Sequence, residues 1–213
     1  MIRTFGVGRR KGFPMPKNVG ACALALAVIF ASGCSGGGQG ASSGVVPSKD
    51  ASRSFAALSQ FTVTSSTFTN GTRVPVKMVC TQYGGNNISP QLSWKNAPAG
   101  TRAFAVIAFD TTASFAHWGI YNISSSTTSL PENTGAGRSP FGVTAYSDFG
   151  KPGYGGPCPP PGLNHRYVFT VFALDGPVYV SYSPQFPAFV EAALFAMEGH
   201  VIGQASITGF FSH

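Results

Sequence analysis

The chain has 213 residues and a formal net charge of +7 at pH 7, a balance that by itself would suggest an acidic partner. Arg3, Arg9, Arg10, Lys11 and Lys17 all precede Cys34, and the remainder carries nine Lys or Arg against seven Asp or Glu, a net of +2. Most of the excess lies in the leader, so nucleic-acid binding loses its main support.

Met1–Lys17 is positively charged, Ala21–Phe30 is an unbroken run of apolar and small residues, and Ala31-Ser-Gly-Cys34 follows. This is the layout of a secretory signal. The apolar run falls short of the roughly 20 residues that a membrane-spanning helix needs. Residues 1–33 are therefore read as a signal peptide of the lipoprotein type, with Met15 as an alternative start because Lys17 and the apolar run alone suffice. Ala31–Cys34 resembles the lipobox of bacterial lipoproteins, which would make Cys34 the lipid-bearing first residue of the mature chain. Ala31 stands where that pattern more often has Leu, and an ordinary cleaved signal is the alternative. Each buried lipid methylene contributes ~0.8 kcal/mol and lasting attachment takes more than one chain, so a multiply acylated Cys34 would hold the protein at a membrane. The expected location is the bacterial cell envelope, lipid-anchored on the periplasmic side or secreted.

Residues 34–59 are rich in Gly, Ser and Ala and read as a flexible tether. Residues 60–213 then make one domain, enough to bury a single core. Cys22 lies in the signal and Cys34 at its end, which leaves Cys80 and Cys158. Two thiols in an exported domain commonly pair; two free cysteines are the alternative.

Within the domain, Phe61–Phe68 alternates and reaches Asn70-Gly71, a hairpin signal, with Val74–Val79 as the returning strand. Phe104–Phe109 is continuously apolar, as suits a strand covered on both faces. Trp118–Ile123, Tyr167–Leu174 and Val201–Phe211 are further strands, and Val178–Tyr182 is a weaker candidate. Pro187–Glu198 is the best helix, with Pro187 in its first turn and Gly199 to close it. Many strands and one late helix predict a mainly β, sandwich-like domain.

Chemistry-bearing residues gather at strand ends. Asp110 ends one strand, and His117 and His165 each start another. By simple alternation His165 and Tyr167 share a face, as do His117 and Tyr121. Between them runs Gly153–Gly162, whose glycines allow close backbone approach and whose prolines stiffen the loop. Such a loop can turn backbone N–H groups toward an anion, although its prolines have none to offer. It lacks the Gly-x-Gly-x-x-Gly spacing, so a Rossmann-type nucleotide site is not supported. Imidazole N–H groups donate to anions, more strongly when protonated. Asp110 can orient one histidine and favour its charged form, which predicts tighter anion binding at mildly acidic pH. His200 is expected to cap the helix carbonyls, His213 to be exposed, and Arg166 to pair within the fold, with Asp148 as a partner. Lys151 and Arg138 fit equally near the pocket mouth or in solvent.

Asn87-Ile-Ser-Pro-Gln-Leu-Ser-Trp94, Pro98-Ala-Gly100, His117-Trp118, Asp148-Phe-Gly-Lys151, Gly153–Gly162 and His165-Arg-Tyr-Val-Phe169 together resemble the phosphatidylethanolamine-binding protein family, in its bacterial Raf-kinase-inhibitor-like branch. The likeness runs from about Phe61 to Phe211. It implies a β-sandwich with a C-terminal helix and short peripheral helices, and a small pocket for phosphate-like or carboxylate groups. The pocket residues carry over onto Asp110, His117, His165 and Tyr167, with Gly155, Gly156 and Pro157 from the loop. The family usually has Asp-Pro-Asp-Ala-Pro after this strand, whereas here Asp110-Thr-Thr-Ala-Ser114 puts Thr112 in place of the second acid. A Cys80–Cys158 disulfide would staple two loops beside the pocket.

The resulting expectation is a small-anion binder, taking phosphate or a phospho-headgroup, with no cofactor and no catalysis. Two alternatives remain. A protein-interaction role, inhibiting a kinase or protease, is what the resemblance also implies. His117, His165 and Asp110 also spell a two-histidine-one-carboxylate set for a metal-dependent enzyme, without local His-x-x-x-His spacing to support it. Serine hydrolysis lacks its nucleophile elbow, since Gly137-Arg-Ser-Pro-Phe ends wrongly.

Overall fold

The computed structural model describes residues 60–137, 139–181 and 188–213. The signal, Cys34 and the tether lie outside the described residues, as do Arg138 and Pro187. In chain order the elements are β1 (Thr62–Thr64), β2 (Thr72–Arg73), β3 (Leu92–Lys95), β4 (Ala103–Asp110), β5 (Phe115–Ser124), β6 (Ser129–Leu130), β7 (Val143–Thr144), β8 (Asn164–Leu174), α1 (Val190–Met197) and β9 (Val201–Ser212). They form a three-stranded sheet, β1-β3-β6, and a six-stranded sheet, β2-β9-β8-β4-β5-β7. Two short 3-10 turns, Val76–Met78 and Thr81–Tyr83, sit at the periphery.

β4 shows why its sequence is apolar without a break. Phe104, Val106 and Ala108 face the core between the two sheets, together with Leu92, Trp94, Trp118, Ile120 and Phe169. Ala103, Ala105 and Ile107 face the other way, into a second core covered by Val190, Ala193 and Met197 of α1. Leu92, Val106, Ile120 and Phe169 are essentially fully buried, and each such side chain contributes roughly 1.5–3 kcal/mol. The helix comes so near the sheet that a Cβ on Gly119 would lie 2.7 Å from Val190 Cγ2. Any larger residue there would force α1 outward.

α1 starts at Val190, whose N–H bonds to the Tyr146 carbonyl. Glu191 in the first turn complements the helix dipole, and Gly199 in the left-handed region closes the end. His200 does not cap the helix through its side chain as expected. Its Nδ1 pairs with Asp175 Oδ1 at 2.8 Å.

Two strand expectations are corrected. Asn70-Gly71 does make a turn, but it links elements of different sheets. β1 pairs with β3, whereas β2 runs parallel to β9. Asn70 Oδ1 and the Gly71 N–H are both bonded to the Thr208 backbone. Pro75 then leads into a 3-10 turn in place of a returning strand. Val178 is no strand residue either. The Asn122 side chain serves as its pairing partner, accepting from Val178 N and donating to Val178 O, both at 2.8 Å.

Topology brings the polar strand ends together. β4 is antiparallel to both of its neighbours, so its last residue, Asp110, lies opposite Phe115 of β5 and Tyr167 of β8. The first residues of β5 and β8 therefore flank the end of β4. Between β4 and β5 the register jumps from Ala108↔Trp118 to Phe109↔Ala116, which leaves His117 as the extra residue of a β-bulge. Bulges re-aim side chains. Here the bulge turns His117 to the same face as Trp118, where its ring meets Tyr167. Tyr121 lies in the opposite core, so His117 and Tyr121 do not share a face as alternation predicts.

Candidate functional site

Asp110, His117, His165 and Tyr167 meet in a small pocket of about 170 Å³, closed by Ala113, Phe115, Phe149, Cys158, Pro159 and Pro160. All four predicted residues are at most 7% exposed. The volume suits a group of a few heavy atoms, since drug-sized ligands occupy sites of roughly 300–1,000 Å³.

Asp110 is the organising group. Its Oδ1 accepts from the N–H groups of Thr112 (2.8 Å) and Ala113 (3.1 Å), and its Oδ2 accepts from His165 Nδ1 at 2.6 Å. The carboxylate is thus saturated from its own loop and from β8, and it fixes the His165 ring with Nε2 free. Thr112 contributes a second tie, because its Oγ1 accepts from Arg166 N at 3.0 Å. The residue that replaces an acid therefore fastens the β4–β5 loop to the strand bearing His165.

His117 is held differently. Its Nδ1 donates to the Gly155 carbonyl at 2.7 Å. Burial pushes its pKa below the usual 6.5, overcoming the Gly155 hydrogen bond and the charges of Asp110 and Asp148. Phe115, Phe149 and Tyr167 surround the ring edge-on, with centroids at 5.2, 5.3 and 5.2 Å.

The Tyr167 hydroxyl is buried and completes no hydrogen bond of good geometry, although it is near the Asp110 carboxylate and the Cys158 backbone. Burial first, then the Asp110 charge, drives its ionisation far above the usual range, so it stays a donor.

The loop contributes in another way than predicted. Gly155 N–H is bonded to the His117 carbonyl and Gly156 N–H to Asn87 Oδ1, so neither is free for an anion. The Pro157 carbonyl accepts from Cys80 N. The glycines are needed for clearance, because a Cβ on Gly155 would strike the Phe149 ring and one on Gly156 the backbone of Met78 and Val79. Cys158, Pro159 and Pro160 form the wall facing the cavity, and the Cys80–Cys158 disulfide ties that wall to the 3-10 turns. Tyr83 reinforces the tie by donating to the Pro159 carbonyl at 2.7 Å, with the exposed His213 stacked on its ring at 3.9 Å.

Asp148 does not pair with Arg166; its Oδ2 accepts from Ala116 N at 2.7 Å and helps seat the start of β5. Lys151 does not line the cavity. Among the described residues no group of three or more His, Cys, Asp or Glu is arranged to hold a metal ion. Phe115 and Phe149 are site residues that the sequence did not single out, although Phe149 lies within the Asp148-Phe-Gly-Lys151 motif.

The family model for phosphatidylethanolamine-binding protein matches residues 64–212. The chain belongs to that family. Relatives include a UPF0098 protein of Methanothermobacter thermautotrophicus, 42% identical over 149 residues, which are 68% of this chain and 93% of the relative. UPF0098 protein YbhB of Escherichia coli is 41% identical over 143 residues, covering 61% and 85%. Among solved structures, E. coli YbcL, described as a new member of the mammalian PEBP family, superposes with a TM-score of 0.63 at 31% identity, covering 72% of this chain and 99% of its own. The CT736 homologue from Chlamydia trachomatis gives 0.61 at 30% identity, covering 72% and 98%. The PEBP-type sandwich with its C-terminal helix is thus the fold expected from the sequence.

Proposed function

We propose that this protein is an exported binder of a small anionic group, phosphate or a phospho-headgroup, held between Asp110, His117, His165 and Tyr167. The observation that carries the reading is the Tyr167 hydroxyl, buried without a well-made hydrogen bond beside two histidines whose Nδ1 atoms are already engaged. A buried polar group left unmet costs about 1–3 kcal/mol, and an oxyanion accepting from Tyr167 Oη would recover it. Three donors, the Thr112 and Ala113 N–H groups and His165 Nδ1, engage Asp110 and weaken its repulsion of such a guest. The aromatic and proline walls lower the local dielectric and strengthen each polar contact.

The disulfide supports an oxidising compartment, in keeping with the secretory layout before Cys34 and with a lipid anchor or secretion. No described helix is long and apolar enough to cross a membrane. Calorimetric titration of the purified protein with inorganic phosphate and with O-phosphoethanolamine tests the reading. Binding is expected, with Tyr167→Phe weakening it by roughly 10–150-fold for loss of one hydrogen bond to a charged group. Absence of binding by either compound between about pH 5 and 8 would overturn it.

A further inference from the structure

The two histidines enter the pocket with different chemistry. A carbonyl oxygen has no proton to give, so the 2.7 Å contact between His117 Nδ1 and the Gly155 carbonyl fixes the proton of a neutral His117 on Nδ1. Its Nε2 then presents a bare lone pair. His165 differs in that its Nδ1 meets a carboxylate oxygen of Asp110 instead of a carbonyl.

The groups facing His117 come from three elements: Asp110 at the end of β4, Asp148 in the segment after β7, and His165 and Tyr167 on β8. Among the described residues no Lys or Arg lines the cavity. Burial further disfavours a positive charge on the ring. A fully deprotonated oxyanion placed against a bare lone pair would be repelled, whereas a hydroxyl on the same anion would donate to it.

Resting on the anion-binding reading above, we propose that His117 Nε2 makes the pocket select tetrahedral anions that still carry a hydroxyl proton. The favoured class is hydrogen phosphate, or a phosphomonoester in its monoanionic form, over sulfate and phosphodiesters. The proton arrives on the ligand oxygen and is shared with, or passed to, Nε2; charge and atoms balance without another reactant. A phosphomonoester loses that proton around pH 6, so its affinity should fall above that value. Inorganic phosphate keeps a hydroxyl in its dianion, and sulfate has none at neutral pH. The two dianions are near-equal in charge and shape, and they isolate the proton.

The experiment is a calorimetric titration of the purified protein with sodium phosphate, sodium sulfate and dimethyl phosphate near pH 7.5. Phosphate is expected to bind at least about tenfold tighter than either competitor, the ratio that one good hydrogen bond to a charged group supplies. In His117→Gln an amide stands near the Nε2 position and can turn its NH₂ toward the anion, so the preference over sulfate should drop to less than about threefold. A smaller than tenfold preference in the wild type, with phosphate still bound, overturns the proton requirement and leaves the anion pocket standing. If none of the three binds, the anion pocket itself falls. Should His117→Gln fail to fold, the wild-type ratios decide alone.

Discussion

The pocket has two walls built on different principles. The sheet wall, Asp110, His117, His165 and Tyr167, holds all the ionisable chemistry and is fixed by the antiparallel ladders of β4, β5 and β8. The loop wall, Cys158, Pro159 and Pro160, lends the cavity only shape. It is fixed by a disulfide, by the Asn87 bond to Gly156 and by the Tyr83 hydroxyl. A regular ladder can position side chains precisely enough for chemistry, whereas an irregular loop needs covalent and side-chain fastenings merely to keep its form.

The sharpest way to break this division is Asp110→Ala. It leaves His165 Nδ1 and the N–H groups of Thr112 and Ala113 without their acceptor. Breaking a buried pair of this kind costs about 3–5 kcal/mol, so denaturant unfolding should show a loss of that size and phosphate binding should vanish. A loss under 1 kcal/mol would mean that Asp110 does not organise the wall. Next in size is the double replacement Cys80→Ser with Cys158→Ser, expected to remove about 2–4 kcal/mol of stability. Phosphate affinity should weaken while its pH profile keeps its shape; a changed profile would show that the loop wall carries chemistry after all.

The smallest effect concerns His117. Its folded-state pKa is lowered, so below the usual 6.5 the unfolded chain binds more protons than the folded one. Stability is therefore lost as pH falls through that window, by at most about 1.4 kcal/mol per pH unit from this group. Comparing unfolding free energies of the wild type and His117→Gln across about pH 5–7.5 should show the shallower slope in the variant. Equal slopes would mean that His117 is not held neutral in the fold.

Much of the sheet wall was legible because its signals are local. The unbroken apolar run of β4 announced a strand covered on both faces, and Asp110 and the two histidines stood at strand ends that antiparallel pairing must bring together. The side on which His117 points was not legible, because simple alternation contains no term for a bulge. The loop wall was misread for a related reason. Glycines at 155 and 156 signal close approach, but the sequence does not say to what; they make room for the Phe149 ring and the Met78–Val79 backbone. The hairpin expected at Asn70-Gly71 failed because a turn specifies a reversal without naming the strands it joins. Phe115 and Phe149 carried no site signal of their own until the fold set them around His117.

β5 bears a consequence of its two irregularities. The first offset lies at His117 and the second between Ile120 and Ile123, where Asn122 takes a positive φ. Phe115 and His117 are in one phase, Trp118 and Ile120 in the other, and Ile123 returns to the first. The strand behaves as three short segments whose inside and outside swap twice and finish where they began. A substitution scan along it should therefore not follow odd–even order: adjacent His117 and Trp118 should be intolerant together. Charge tolerated or rejected at Tyr121 would then report on the α1 core, four residues from the ring that faces the ligand cavity.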